Sequence, residues 1–305
     1  CGSGMKAAMI AHDQLALGHT DLMVAGGMES MSEAPYLLPQ MRGGARIGHG
    51  RTIDHMFLDG LEDAYEEGRL MGSFAEECAE KYQFTREAQD EYALASLQNA
   101  LDAQSAGAFD GEIEAVTIKT RKGEVTIAAD EQPAKARPEK IPTLKPAFKK
   151  DGTVTPANAS SISDGAAALV MMRESDAKAK GLPIRAYIRA HASHAQAPNW
   201  FTTAPVPAMK SVLSQCNWTV ENVDLWEVNE AFAVVPMAAM AEIGMPREKL
   251  NVNGGACALG HPIGASGARI LVTLLNALEK RGGTKGVASL CIGGGEGTAV
   301  AIELA

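Results

Sequence analysis

The chain has 305 residues, of which 46% are apolar, 21% charged and only 5% aromatic, a globular composition that excludes disordered and collagen-like chains. At about 150 residues per domain, this length makes two domains or one large α/β unit. With 28 basic and 37 acidic side chains the net charge is −9, which argues against a nucleic-acid footprint spread over the whole surface.

After Cys1-Gly-Ser-Gly4, the pattern predicts a helix from Met5 to Leu17 stopped by Gly18, then a short buried strand, Leu22 to Ala25, ended by Gly26-Gly27. From Ser32 to Ser161 the chain is polar and punctuated by Pro and Gly. It holds a helix from Thr85 to Ala106 and a hairpin of Ala115–Lys119 with Glu124–Ala128 around Arg121-Lys-Gly123. Ala166 to Met172 reads as a buried strand, followed by a short helix ending at Gly181 and a strand beginning at Arg185–Arg189. Met209, Val212, Leu213 and Cys216 recur at helical spacing, as do Ile270, Leu274, Ala277 and Leu278 ahead of Gly282. Val287–Cys291 and Thr298–Glu303 close the chain as strands across a glycine turn. Alternating strands and helices define an α/β fold. The longest apolar run, Ala231 to Ala241, has 11 residues, short of the about 20 that cross a membrane, so the chain reads as soluble. Five cysteines without a CxxC fit a reducing, cytoplasmic setting.

Ser3-Gly4, helix, strand, Gly26-Gly27 matches Ser266-Gly267, helix, strand, Gly293-Gly294 as a faint repeat. Equal halves would place about 80 further residues ahead of Cys1, making Cys1 an interior residue at a strand-to-helix junction. Without them, sheet edges and apolar surface of the first half would lie open. The rival is a processed N-terminal Cys whose own α-amine serves as base.

Three clusters can do chemistry. Cys1 precedes a helix, where free N–H groups and the positive dipole end favour a thiolate nucleophile; a small residue in a tight turn is the bland alternative. His261 lies in the glycine-rich loop Asn253 to Gly267, where backbone can approach a ligand; a loop histidine bonded to a carbonyl is the bland alternative. Cys257 and His261 alone make a poor metal site, and no metal is expected. Cys291-Ile-Gly-Gly-Gly-Glu-Gly297 at a strand end can turn a row of amides toward an anion, or can be a plain glycine hairpin.

In that order, Cys1-Gly-Ser-Gly4, Ala25-Gly-Gly-Met-Glu-Ser-Met31, Asn229-Glu-Ala-Phe-Ala233, Gly260-His-Pro-Ile-Gly-Ala-Ser-Gly267 and Cys291-Ile-Gly-Gly-Gly295 resemble the thiolases, most closely the acetyl-CoA-condensing branch. The likeness includes Phe148, Gly152-Thr-Val-Thr155 and Asn158-Ala-Ser160, and runs the whole chain. It implies two similar α/β halves, each a mixed five-stranded sheet layered with helices, plus an inserted loop domain. The first half would be residues 1–31 and 162–185, the insertion 32–161 and the second half 186–305.

The resemblance also implies an acyltransferase. It would condense two acetyl-CoA to acetoacetyl-CoA and CoA, reversibly and without a cofactor; a degradative 3-ketoacyl-CoA thiolase is the alternative. Cys1 would carry the acyl group. His261 would activate it and, with a water held by Asn229, stabilise the enolate oxygen. Amides of Cys1 and Gly293 would form a second oxyanion hole, Cys291 would move the α-proton, and Glu230 would orient its neighbours. Ser160, Phe148, Ala231 and Phe232 would line the pantetheine tunnel. Leu70, Met71 and Phe201 would stand near the acyl end, where relatives carry His-Met-Gly and Met-Gly-Thr-Gly-Pro against Leu70-Met-Gly72 and Phe201-Thr-Thr-Ala-Pro205 here. The family assembles as homotetramers, with Met41 to Gly48 the expected contact.

The residues offer separate support for a CoA substrate. Lys135, Arg137, Lys140, Lys145, Lys149 and Lys150 crowd one segment with a single acid, Glu139. At a Debye length of about 8 Å only such a local patch attracts the phosphates of CoA, although a solvated basic loop would look the same. No nucleic-acid or membrane partner is expected.

Overall fold

The computed structural model describes residues 1–305. Helix α1 (Ser3–Ala16) leads into strand β1 (Leu22–Ser30). There follow the short strands β2 (Tyr36–Leu37) and β3 (Ile53–Asp54), helices α2 (Met71–Tyr82) and α3 (Arg86–Ser105), the hairpin β4 (Val116–Thr120) and β5 (Gly123–Ile127), and one turn of helix, α4 (Gln132–Lys135). The chain then returns through β6 (Asp164–Met172) and α5 (Glu174–Ala179). The remainder is β7 (Ala186–Ala195), α6 (Pro205–Cys216), β8 (Leu225–Val228), α7 (Val234–Ile243), α8 (Ala256–Leu259), α9 (Ile263–Arg281), β9 (Lys285–Ile292) and β10 (Glu296–Leu304).

β1 pairs antiparallel with β6, from Leu22 opposite Met172 to Ser30 opposite Asp164. The second sheet runs β7-β10-β9-β8, antiparallel except for the parallel β8–β9 pair. α1 and α9 pack against each other between the two sheets, and their apolar faces (Met5, Met9, Ile270, Leu274, Leu278) share one core with Leu225, Leu290 and Val300. A second core gathers α6, α7, α2 and the other face of the second sheet around Trp226. Helix, strand and antiparallel return strand recur as α1-β1-β6 and α9-β9-β10. Between β9 and β10 stand only Gly293–Gly295, whereas the whole polar segment 31–163 stands between β1 and β6.

Two expectations are corrected. The strand from Leu22 does not stop at Gly26-Gly27 but runs on to Ser30. The glycines are there for close approach: a Cβ on Gly26 would lie 2.2 Å from the Ala167 carbonyl oxygen, and one on Gly27 1.9 Å from that of Gly264. The second sheet has four strands, not five. Beside β8 the chain makes a single parallel bridge, Leu250 to Trp226, and then Asn251 turns left-handed at φ 47°. The Asn251 side chain completes the edge instead, accepting from Val228 N (2.9 Å) and donating to Val228 O (2.8 Å). Helix α2, strand β8 and helix α7 are additions. α7 is apolar nearly all round because it is buried, so it shows no amphipathic period.

α1 and α9 touch through backbone. A Cβ on Gly267 would come within 2.3 Å of Met5 N, and one on Gly4 within 2.8 Å of Ala268 N. Helix propensity alone makes Gly267→Ala stabilising by about 1 kcal/mol; the crossing makes it overpacked. We expect Gly267→Ala to lose about 1–3 kcal/mol in denaturant titration, while Gly43→Ala, where a Cβ meets nothing within 4 Å, changes little.

Candidate active site

The N-terminus of α1, the loop before α9 and the turn between β9 and β10 converge on one cavity of about 280 Å3. Cys1, His261, Cys291 and Gly293 all line it, with Leu70, Met71, Phe148, Ser160, Phe201, Ala231 and Phe232. Residues 261 and 291 reach Cys1 only through the fold.

Each group is held by identifiable contacts. Gly2 lets Cys1 sit against β9, since a Cβ there would fall 2.5 Å from Ile292 Cδ1. α9 starts at Pro262 without a side-chain cap of its own. Glu29 of β1 supplies one, accepting Gly264 N at 3.0 Å, so a carboxylate meets the positive end of the helix dipole and fixes the loop that follows His261. Ser266 Oγ gives its hydrogen to Pro262 O (3.0 Å) and accepts from His261 Nδ1–H (2.5 Å). That pairing leaves Nε2 as the free base. Burial drives the His261 pKa down to about 3, so the ring is neutral. Asn229, buried just past β8, approaches the ring with its amide nitrogen at 3.4 Å from Nε2 and does not itself line the cavity. Its Oδ1 is buried and accepts nothing from the protein. Cys291 is buried on β9, and burial pushes its thiol up to about 12.

Glu230 is fully buried and touches no cavity residue's reactive atom. It accepts from Ser96 Oγ (2.7 Å), Asn251 Nδ2 (2.8 Å), Cys257 N (3.0 Å) and Tyr92 OH (3.1 Å). The carboxylate thus ties α3 to the two loops that carry Asn229 and His261. Cys257 is engaged there, with its thiol raised by burial and by the Glu230 charge.

The inserted segment closes the cavity. Ser160 donates through both N and Oγ to Ala231 O, each at 3.0 Å. Phe148 and Phe232 meet edge to face at 6.1 Å, and only a glycine fits at position 72, where a Cβ would lie 2.3 Å from the Phe148 ring. Phe201 is buried edge-on to Phe74, and Met71 Sδ packs on Gly293. Lys135 and Arg137 do not line the cavity; both are exposed, and Lys135 pairs with Glu131 at 3.3 Å. The sequence reading missed Met31, Phe57, Gly60, Leu61, Ile162 and Ile263, which also line the cavity. Only Met31 and Ile263 fall inside a recognised motif.

Residues 1–175 match the family model "Thiolase, N-terminal domain" and residues 182–304 "Thiolase, C-terminal domain". The chain belongs to the thiolase family. It is 49% identical over 305 residues to the acetyl-CoA acetyltransferase of Cupriavidus necator, covering 99% of this chain and 77% of that protein. It is 47% identical over 306 residues to the cytosolic acetyl-CoA acetyltransferase of Mus musculus, again covering 99% and 77%. The crystal structure of the Bacillus anthracis acetyl-CoA acetyltransferase superposes with a TM-score of 0.95 at 46% identity, and that of human mitochondrial 3-ketoacyl-CoA thiolase with 0.95 at 38%. Each covers 100% of this chain and 77% of the other.

The two cavity cysteines differ in access. Cys1 is half-buried at a helix start, whereas Cys291 is buried and remains a protonated thiol until pH approaches 12. Between pH 7 and about 9, iodoacetamide should label Cys1 first, with Cys291 modified only on unfolding; mass spectrometry of the two peptides reads the order. Equal labelling at pH 7 would contradict the burial argument.

Proposed function

We propose that this protein is an acetyl-CoA C-acetyltransferase, condensing two acetyl-CoA to acetoacetyl-CoA and free CoA through an acetyl-Cys1 intermediate. The observation that carries the reading is one cavity lined by Cys1, a neutral His261 and a protonated Cys291. Sequence likeness to enzymes named acetyl-CoA acetyltransferase favours this substrate over the broader 3-ketoacyl range. A family match running from residue 1 to 304 sets aside the N-terminal-nucleophile hydrolase.

The protonation states allow a balanced cycle. His261 Nε2 takes the Cys1 thiol proton as sulfur attacks the thioester; CoA leaves as a thiolate and takes the Cys291 proton. The Cys291 thiolate then removes the α-proton of a second acetyl-CoA. The resulting enolate attacks acetyl-Cys1, expels the Cys1 thiolate, and His261 returns its proton. A carbon acid beside a thioester is far weaker than a thiol, so proton removal needs the enolate oxygen held. Protonated His261 Nε2 and a water accepted by Asn229 Oδ1 suit that oxygen, while the Cys1 and Gly293 amides suit the acyl-enzyme carbonyl. Glu230 orients both loops. Leu70, Met71 and Phe201 face the acyl group, and the pantetheine arm runs by Ser160, Phe148, Ala231 and Phe232.

The basic segment from Lys135 to Lys150, exposed along the insertion, suits the phosphates of CoA. Free CoA, acetyl-CoA and acetoacetyl-CoA are the ligands, with no further cofactor. We also place the protein in the cytoplasm, as its cytosolic relatives suggest; no helix is long and apolar enough to cross a membrane. A homotetramer is supported by the exposed segment Met41 to Gly48, with Ile47 98% exposed. Light scattering of the full native chain should give four copies, and a monomer would remove this assembly.

The two cysteines separate the steps. Cys291→Ala should still take acetyl from acetyl-CoA onto Cys1 while condensation falls about 10²–10⁴-fold, and Cys1→Ala should take none. Mass spectrometry of the Cys1 peptide beside a condensation assay reads both. Acetyl found on Cys291 instead, or near-normal condensation by Cys291→Ala, would sink the assignment. A chain-length series of 3-ketoacyl-CoA substrates with the unmodified protein decides between the acetyl-specific and the broader reading.

A further inference from the structure

The last turns of α1 carry a cluster that the reaction does not use. Asp13 Oδ1 lies 3.0 Å from His12 Nδ1 and 2.8 Å from His191 Nε2, on β7 of the second half. The two imidazoles stand edge to face with centroids 5.0 Å apart, and the three donor atoms all lie within 4.8 Å of one another. Ten residues of helix, about 15 Å at 1.5 Å per residue, separate Asp13 from the start of α1 beside the cavity.

We propose that His12, Asp13 and His191 form a binding site for one divalent late first-row transition ion such as Zn2+, which clamps α1 of the first half to β7 of the second.

A tetrahedral ion with bonds of about 2.0–2.1 Å has its ligand atoms about 3.3 Å apart. Two edges of the cluster are already near that spacing, and the third closes by a small ring movement. Two imidazoles with one carboxylate select zinc, cobalt, nickel or copper over magnesium and calcium, which require mostly oxygen. The side chains of His191 and His12 are 20% and 35% exposed and that of Asp13 52%, leaving room for water as a fourth ligand and a path for entry. The nearby cations are engaged elsewhere: Lys6 donates to Ser193 Oγ at 3.2 Å, and Arg189 pairs with Glu303 at 2.6 Å while resting on Tyr187. Each ring would bind as a neutral imidazole through the nitrogen that now faces the carboxylate, keeping its single N–H on the other nitrogen.

Co2+ is the probe, titrated into the full native chain, because its spectrum distinguishes ligands. One equivalent should give visible ligand-field bands without a near-ultraviolet thiolate-to-cobalt charge-transfer band, and Zn2+ should displace it. His191→Ala and His12→Ala should each weaken binding more than tenfold. Zn2+ should raise the melting temperature of the unmodified protein and leave both variants where they melt in EDTA. His12 is on the partly exposed helix surface, so His12→Ala keeps the test usable if His191→Ala misfolds. A charge-transfer band alone would place the ion on the cysteines. That result, unchanged affinity in His12→Ala, or no binding at millimolar Co2+ would each overturn the proposal, whatever the condensing activity.

Discussion

The backbone contact between α1 and α9 is the constraint on which the site depends. Each helix begins where a reactive residue ends its loop: Cys1 two residues before α1, His261 two before α9. The helices can bring those ends together only by crossing without side chains, which Gly4 and Gly267 permit. Glycine inside a helix costs about 1 kcal/mol against alanine, a local loss offset by the shared core of Met5, Met9, Ile270 and Leu274 on either side. The same two glycines occupy matching places in the faint repeat, so the internal pseudo-symmetry of the chain coincides with a backbone packing contact.

Around this crossing, buried polar groups set the remaining coordinates. Glu29 caps a helix that lacks its own cap, and Glu230 gathers four donors from three segments. A buried carboxylate is tolerable only when its oxygens are satisfied. Glu230 meets that condition, with Gly255 leaving room for it, since a Cβ there would lie 2.3 Å from the carboxyl carbon. The result is a rigid polar frame behind an apolar cavity. Burial then assigns the resting protonation states, a neutral imidazole and a neutral thiol, by penalising charge on both.

Helices with an exposed face were legible in the sequence. α3 is capped by Thr85, whose hydroxyl accepts Ala88 N at 3.2 Å, and α6 ends at Cys216, as the polar and apolar spacing indicates. The repeat was legible too, since its helix–strand units are local. Buried elements were harder. β8 and the first turns of α7 lack alternation because every face is covered, and β1 runs on through Gly26-Gly27 because those glycines serve the close approach of neighbouring backbone and do not end the strand.

By itself the sequence determined the family motifs and the chemically able residues, Cys1, Asn229, His261 and Cys291, because reactive groups and their glycine turns are contiguous in the chain. Only the tertiary structure decided what surrounds them. Phe57 and Leu61 reach the cavity from a single π-helical turn too short to show a period, Glu230 meets Tyr92 across 138 residues, and His191 meets Asp13 across 178. Neither the four-stranded sheet nor the tautomer of His261 could be read along the chain. The first turns on the left-handed backbone of Asn251, the second on where the Ser266 hydroxyl sends its proton. Local periodicity records which face of an element is buried; it carries no record of which distant residue will lie against that face.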